Sequence, residues 1–384
     1  MALVTLFEPP VVTDRETQVV GKIDELRKRL RHLARQPGRW TGLLRRNTLA
    51  LAIQGSNSIE GYNVTNEDAI AAVAGEDPLE ADEVSWAAVT GYREAMTYVL
   101  QLADDPHFAY SAGLLRSLHY MMLRHDLTRN PGKWRPGSIY VRRDGTGEIV
   151  YEGPDVDQVP YLIDALLECL NDGGDPTQPA VVRAALGHLN LVMIHPFSDG
   201  NGRMARCLQT LMLAREGILE VPFSSVEEYL GRNTPEYYRV LAQVGGGSWQ
   251  PENDTRPWVR FMLTAHYRQA TTLLRRSQEM EAVWTALEEE AARHGLPERM
   301  LMALSDAAFG YRVRNSTYRA AASISSNTAS RDLTLLIKVG LLVPHGEKRG
   351  RTYIASAQVR ALRERLRRPK SAPDPFGDTG GPGE

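Results

Sequence analysis

Apolar residues recur every three or four positions through most of the first 293 residues, and a chain patterned this way buries its core as packed helices. From Arg15 to Arg35, Val19, Ile23, Leu26 and Leu30 form one such stripe among charged neighbours. Similar runs cover about 41–56, 82–104, 111–125, 157–170, 178–194, 202–216 and 256–293. One segment departs from the pattern. Ser138–Arg142 and Glu148–Tyr151 are β-prone and flank Asp144-Gly145-Thr146-Gly147, which predicts a hairpin. No sustained strand–helix alternation occurs, which argues against a doubly wound α/β sheet. The expected fold class is mainly α. A chain of 384 residues exceeds one typical core, so two or three domains are expected. Its two cysteines, Cys169 and Cys207, exclude a disulfide framework or a Cys-rich zinc site and favour a reducing compartment. No signal-peptide pattern and no run of 18 apolar residues is present, so the expectation is a cytoplasmic protein with no membrane partner.

Charge divides the chain. The whole carries a net charge of -2, yet residues 301–370 hold 14 Lys and Arg against four acids, a local charge of +10. Residues 1–300 carry -9 and residues 371–384 carry -3. After Gly295-Leu296-Pro297 the pattern also changes. Met300–Phe309 and Ser316–Ala322 are helix candidates, and Ser326 is placed to cap a third helix through Val339. Gly340–Ile354 then reads as strand, basic turn, strand. Three helices followed by a basic hairpin is the winged-helix order. Residues 369–384, rich in Pro and Gly, are expected to be disordered.

The segment His195-Pro196-Phe197-Ser198-Asp199-Gly200-Asn201-Gly202-Arg203-Met204-Ala205-Arg206 concentrates chemistry between two helical stripes. A glycine-rich turn entering a helix aims backbone N–H groups at one spot, where the helix dipole favours an anion. Arg203 and Arg206 lie three apart, on one helix face, and can both reach phosphate oxygens. Asp199 supplies a hard carboxylate oxygen suited to Mg²⁺. His195 is the one side chain in the loop that titrates near neutrality, hence the candidate general base. Together these parts describe a nucleotide phosphate site beside a base poised for an incoming hydroxyl.

The segment matches, at all nine specified positions, the signature His-Pro-Phe-x-Asp-Gly-Asn-Gly-Arg-x-x-Arg, and by it the chain is identified as resembling the Fic family. The resemblance implies a helical bundle with a β-hairpin flap, here followed by a small winged helix. It divides the chain into an N-terminal helical region at 1–110, a catalytic domain at 111–294, a winged helix at 295–358 and a basic helix with a disordered tail at 359–384. It also implies transfer of AMP from ATP, with Mg²⁺, to a Ser, Thr or Tyr hydroxyl of a target protein. His195 would deprotonate the hydroxyl and Asp199 would bind the metal. Gly200, Asn201 and Gly202 would hold the α-phosphate region, and Arg203 and Arg206 the β- and γ-phosphates. Phe197 would anchor the loop. The flap residues Ile139, Tyr140 and Val141 would lie beside the target, whose backbone adds as a strand. Arg232, Tyr237 and Tyr238, ahead of Gly245-Gly246-Gly247, match the region that closes the adenine pocket in many relatives.

Near the N-terminus, Ser56-Asn57-Ser58-Ile59-Glu60-Gly61, in a helix expected at about 50–62, resembles the family's inhibitory motif. It implies that Glu60 pairs with Arg206, removes the γ-phosphate's partner and admits ATP only in a non-productive pose. Two alternatives stand beside an autoinhibited adenylyltransferase. In one, Glu60 positions a water and the protein also removes AMP. In the other, a DNA-binding regulator senses nucleotide through its helical body. For DNA contact, Asn327, Thr328 and Arg331 are the candidate base-facing residues, with Lys348, Arg349 and Arg351 on the wing. Dimerisation or target docking is the competing role of that unit, and auto-modification is a further expectation. Gly202 disfavours phosphate transfer, whereas UMP and phosphocholine donors stay open.

Overall fold

The computed structural model describes residues 5–35, 39–142, 145–217, 225–346, 351–370 and 373–377. Eleven helices of the body among these residues are α1 Asp14–Arg35, α2 Arg39–Ile59, α3 Asn66–Ala74, α4 Glu83–Leu102, α5 Ala112–Leu123, α6 Val159–Asn171, α7 Ala180–Ile194, α8 Asn201–Arg215, α9 Glu227–Arg232, α10 Thr234–Gly245 and α11 Arg256–Arg293. A hairpin of β1 Tyr140–Arg142 and β2 Ile149–Glu152 interrupts them. The fold is mainly helical, as the periodicity requires. Short side-chain caps start several helices: the side chains of Thr65, Asp82 and Ser111 accept backbone N–H groups at the starts of α3, α4 and α5.

The two innermost helices are α7 and α8, which pack together and are buried almost all round. Val182, Leu189, Leu191 and Ile194 of α7 and Met204, Leu208 and Leu211 of α8 lie in the main core. The chemistry-bearing loop is therefore the connection between the two most buried helices, and its ends are fixed on both sides. α3, α9 and α10 go beyond the periodic reading. They span 9, 6 and 12 residues, too few turns to declare a stripe, and tertiary packing sustains them.

The C-terminal unit runs α12 Leu301–Ala308, α13 Asn315–Ala322, α14 Ser326–Lys338, the antiparallel pair β3 Leu342–His345 and β4 Thr352–Ala355, then α15 Ala357–Arg365. The cap of α14 is Ser325 and not Ser326: its Oγ accepts the Thr328 N–H at 3.2 Å. Asn327 and Arg331 are exposed on α14 and Thr328 is half-buried; Arg351 is exposed, whereas Lys348 and Arg349 lie outside the described residues, as does Asp144 of the flap turn. The expected boundary at 294–295 falls inside one apolar cluster, where Leu273, Val283 and Leu287 of α11 pack with Leu304, Leu333 and Leu336. α11 spans 38 residues, about 57 Å at the usual helical rise, and so carries both cores. Ionic contacts reinforce the junction. Arg46 meets Asp306 at 2.5 Å, Arg312 reaches Glu80 and Glu67, and Arg314 lies 3.6 Å from Glu76. Part of the tail expected to be disordered takes a defined place. Phe376 packs on the main core, its carbonyl accepts from Arg15 at 2.8 Å, and Arg260 lies 5.4 Å from its ring centre.

Candidate active site

α7 ends on His195, which adopts the left-handed conformation with φ 51° and ψ 55°. That backbone costs a non-glycine residue about 1–3 kcal/mol and persists only where its surroundings hold it. Here they do. The imidazole Nδ1 lies 2.9 Å from the Val192 carbonyl, and Arg135 donates from Nε to the His195 carbonyl at 3.0 Å. A carbonyl can only accept, so Nδ1 carries the proton and Nε2 keeps its lone pair. Burial pushes the imidazole below its ordinary 6.5, and the Arg135 charge adds to this against the Val192 hydrogen bond and the carboxylates of Glu60 and Asp199. The ring is thus a neutral acceptor near pH 7.

The loop is braced from within. Phe197 is fully buried and stacks on His119, with ring centres 3.8 Å apart. Asn201, expected at the α-phosphate, is a loop staple. Its side chain is buried, accepts the Phe197 N–H at 2.9 Å and donates to the Phe197 carbonyl at 2.9 Å. Only its backbone N–H remains for an anion. His119 receives the Gly132 N–H on Nδ1 at 2.8 Å and so donates from Nε2 to the Asp199 carbonyl at 2.9 Å. Burial pushes this imidazole down to about 4, which suits a fixed neutral strut. Gly200 has φ 75°, and a Cβ there would lie 2.6 Å from Leu123 Cδ1.

Beyond Gly200, α8 opens without a side-chain cap. Its first N–H groups are available to an acceptor. Arg203 is fully buried, and none of its three guanidinium nitrogens has a hydrogen-bond partner among the described residues. Nη1 of Arg206 is likewise unpartnered. Four orphaned cationic donors at a helix N-terminus fit a polyphosphate. Asp199 is the candidate metal ligand, with its side chain 28% exposed and Oδ1 accepting the Gly200 N–H at 2.7 Å. No group of three His, Cys, Asp or Glu among the described residues forms a metal cage. One carboxylate with substrate oxygens and water is the way Mg²⁺ is ordinarily held beside phosphates.

Residues 109–213, which contain this loop, match the Fic/DOC family. The chain carries a Fic domain. It is 28% identical over 265 residues to the protein adenylyltransferase Fic of Nematostella vectensis, covering 66% of this chain and 55% of that protein. It is 27% identical over 262 residues to the protein adenylyltransferase fic-1 of Caenorhabditis elegans, covering 66% and 46%. The chain thus spans about half the length of these curated relatives. In fold it is similar to a Fic family protein from Desulfovibrio desulfuricans G20, with TM-score 0.58, 24% identity, and 91% of this chain and 98% of that one covered. It is also similar to Fic-1 from C. elegans, with TM-score 0.56, 23% identity, and 67% and 72% covered.

The Fic domain's hairpin stands beside His195. A Cβ on Gly153 would lie 2.5 Å from Ile139 and 3.7 Å from the His195 Cβ. β1 and β2 pair antiparallel with Val141 opposite Tyr151, and the register shifts between Val141 and Arg142. The other edge of β2 is taken: Glu152 N–H donates to the Gly247 carbonyl at 2.9 Å. β1 is the edge left for an added strand, and Tyr140 on it is exposed. The Gly245–Gly247 turn therefore holds the hairpin.

Three expected pocket residues divide. Tyr238 is exposed, and its hydroxyl lies 3.3 Å from the Ile59 carbonyl. Tyr237 does not line the opening. It is fully buried, with its hydroxyl 3.0 Å from His188 Nε2 and its ring against Trp258, because this face of the amphipathic α10 supplies the core. Arg232 is turned to a different surface, pairing with Glu228 at 2.7 Å.

Outside residues 109–213, the end of α2 meets the loop. Arg206 donates from Nε to Ser56 Oγ at 2.8 Å and from Nη2 to the Ser56 carbonyl at 3.0 Å and Glu60 Oε1 at 2.7 Å. A Cβ on Gly202 would lie 2.5 Å from Glu60 Oε1, so the carboxylate sits directly on the turn. Burial raises the Glu60 carboxyl, but Arg206 and then Arg203 outweigh it and hold the group below its ordinary 4.5. Tyr62 follows, with the Arg203 guanidinium 5.0 Å from its ring centre. Gly61, expected in the motif, has φ 85° and lets the chain turn out of α2.

Arg135 carries no local motif that marks it as part of the site. It is 97% buried and donates to three carbonyls, those of His195 at 3.0 Å, Gly137 at 2.6 Å and Pro154, tying the loop to both ends of the hairpin. Arg135→Ala is expected to cost about 2 kcal/mol by leaving buried carbonyls unpaired. A lowered urea midpoint measures it, and an unchanged midpoint removes the brace.

Proposed function

We propose that the protein is an adenylyltransferase that moves AMP from ATP to a Ser, Thr or Tyr hydroxyl of a target protein. The carrying observation is the neutral His195, with Nε2 unprotonated, at the mouth of a helix N-terminus whose Arg203 has three unpartnered buried nitrogens. The names of the relatives support the same chemistry. Nε2 takes the hydroxyl proton as the oxygen forms its bond to the α-phosphorus. The bond from that phosphorus to the bridging oxygen breaks, and pyrophosphate leaves with the electron pair. Arg203, Arg206 and the first N–H groups of α8 face the charge that accumulates on the leaving group. Asp199 would hold Mg²⁺, which neutralises phosphate charge when bound. The target would add along β1, presenting its hydroxyl near His195.

In this reading Glu60 is a brake. It occupies Nη2 of Arg206 and places negative charge where the distal phosphate would sit. The C-terminal unit reads as a winged helix that docks on the body: Arg312 and Arg314 are committed to Glu67, Glu76 and Glu80 and are withdrawn from any DNA-facing surface.

Intact-mass measurement of the Glu60→Gly chain with Mg²⁺ and ATP tests the proposal. The expected result is a gain of one AMP or more on the chain itself, abolished by EDTA. A gain of a phosphate, a gain only with UTP or CDP-choline, or no gain on the chain or on any protein of a lysate overturns it.

A further inference from the structure

A cavity of about 530 Å³ lies between α2, α11 and the C-terminal unit. Six cations line it: Arg232, Arg275, Arg276, Arg363, Arg367 and Lys370. Carboxylates are fewer. Glu228 is shared by Arg232 and Arg276, Glu279 by Arg275 and Arg363, and Glu364 pairs with Arg367 at 3.2 Å. Glu279 is further occupied by the Arg368 N–H at 2.7 Å, and Nε of Arg363 is buried without a partner among the described residues.

Docking of the two units does not call for this excess. Elsewhere along the same junction Arg46, Arg312 and Arg314 meet Asp306, Glu67, Glu76 and Glu80, so acids match or outnumber bases. At the cavity the balance inverts: two acids, Glu279 and Glu364, line it against six bases, and even with Glu228, which pairs with Arg232 and Arg276, there are three. Clustered guanidinium groups repel one another unless an anion joins them, and their forked donors match phosphate oxygens. The volume is that of a small-molecule pocket and too small for a macromolecular groove.

We propose that this cleft binds a small polyphosphate anion, inorganic or carried by a nucleoside. The basic residues of α15 and its extension, Arg363, Arg367 and Lys370, thereby gain a role that neither the catalytic loop nor a DNA-facing helix gives them. The site is separate from the Fic loop, and its assignment does not rest on AMP transfer. One wall is α2 itself, through Asn47, Thr48 and Leu51, about one and a half to three and a half turns before Ser56 and Glu60.

Titration calorimetry of the full chain carrying Arg203→Ala, which weakens the catalytic phosphate seat, with inorganic triphosphate as probe, tests this. Saturable one-to-one binding that weakens with salt is expected. Arg367→Glu with Lys370→Glu, both exposed, is expected to weaken it at least about tenfold. A thermal melt matching the parent shows that the variant stays folded. No saturable binding up to millimolar probe, or binding unchanged by the charge reversal, overturns the proposal. Tighter binding of ADP than of pyrophosphate assigns the anion to a nucleotide, and equal binding to an inorganic chain.

Discussion

Glu60→Gly is expected to raise AMP incorporation about 10- to 100-fold over the unmodified chain. A charge-assisted hydrogen bond contributes about 1.5–3 kcal/mol, and each factor of ten corresponds to about 1.4 kcal/mol. The substitution removes the Glu60 contact at 2.7 Å and frees one of the two contacts of Arg206 Nη2, beside the unpartnered Nη1. The Ser56 contacts to Nε and Nη2 persist, so the guanidinium stays oriented toward the turn. Labelled ATP followed by intact mass measures the gain. Glu60→Gln, which keeps the shape and loses the charge, is expected to fall between. Equal incorporation in all three chains removes the brake from the reading. Mild acid does not substitute for the mutation. The Glu60 carboxyl is held below its ordinary 4.5 in the folded chain, so its pairing is fully present above that value and is lost only as pH falls through the lower one.

Much of this was legible along the chain because it is local. Long stripes declare α1, α7, α8 and α11, and nine fixed positions within twelve residues declare the loop. What was not legible comes from contacts across the sequence. Arg135 stands 60 residues before His195, and His119 stands 80 before Asp199; neither carries a local pattern that marks it as a brace. The bracing by Asn201 was hidden for the same reason. The resemblance places it at the α-phosphate, and its side-chain amide also closes the Phe197 backbone, leaving its backbone N–H for an anion. Tyr237 and Tyr238 are adjacent, and the resemblance places both at the adenine pocket. On a helix neighbours face about 100° apart, so one entered the core and the other the surface. The charge of the C-terminal unit misled in another way. A +10 segment suggests a polyanion face, but several of its arginines turn inward to body carboxylates or to the cleft.

His195→Ala in the Glu60→Gly background is expected to lower AMP transfer about 10²- to 10⁴-fold, the usual contribution of a positioned general base. Nucleotide binding should change little, because Arg203, Arg206 and the α8 N-terminus do not depend on the imidazole. The fold should also hold, since Phe197, Asn201 and Arg135 fix the loop backbone by themselves. A rate loss without loss of affinity therefore separates a base from a structural histidine. The pH profile makes a second, independent demand. Burial and the Arg135 charge hold the imidazole below its ordinary 6.5, so Nε2 is unprotonated near pH 7. Transfer should fall only as pH drops through the depressed value. An acid limb centred at or above 6.5 contradicts the buried neutral base. Transfer that survives the loss of His195 assigns the proton to another acceptor.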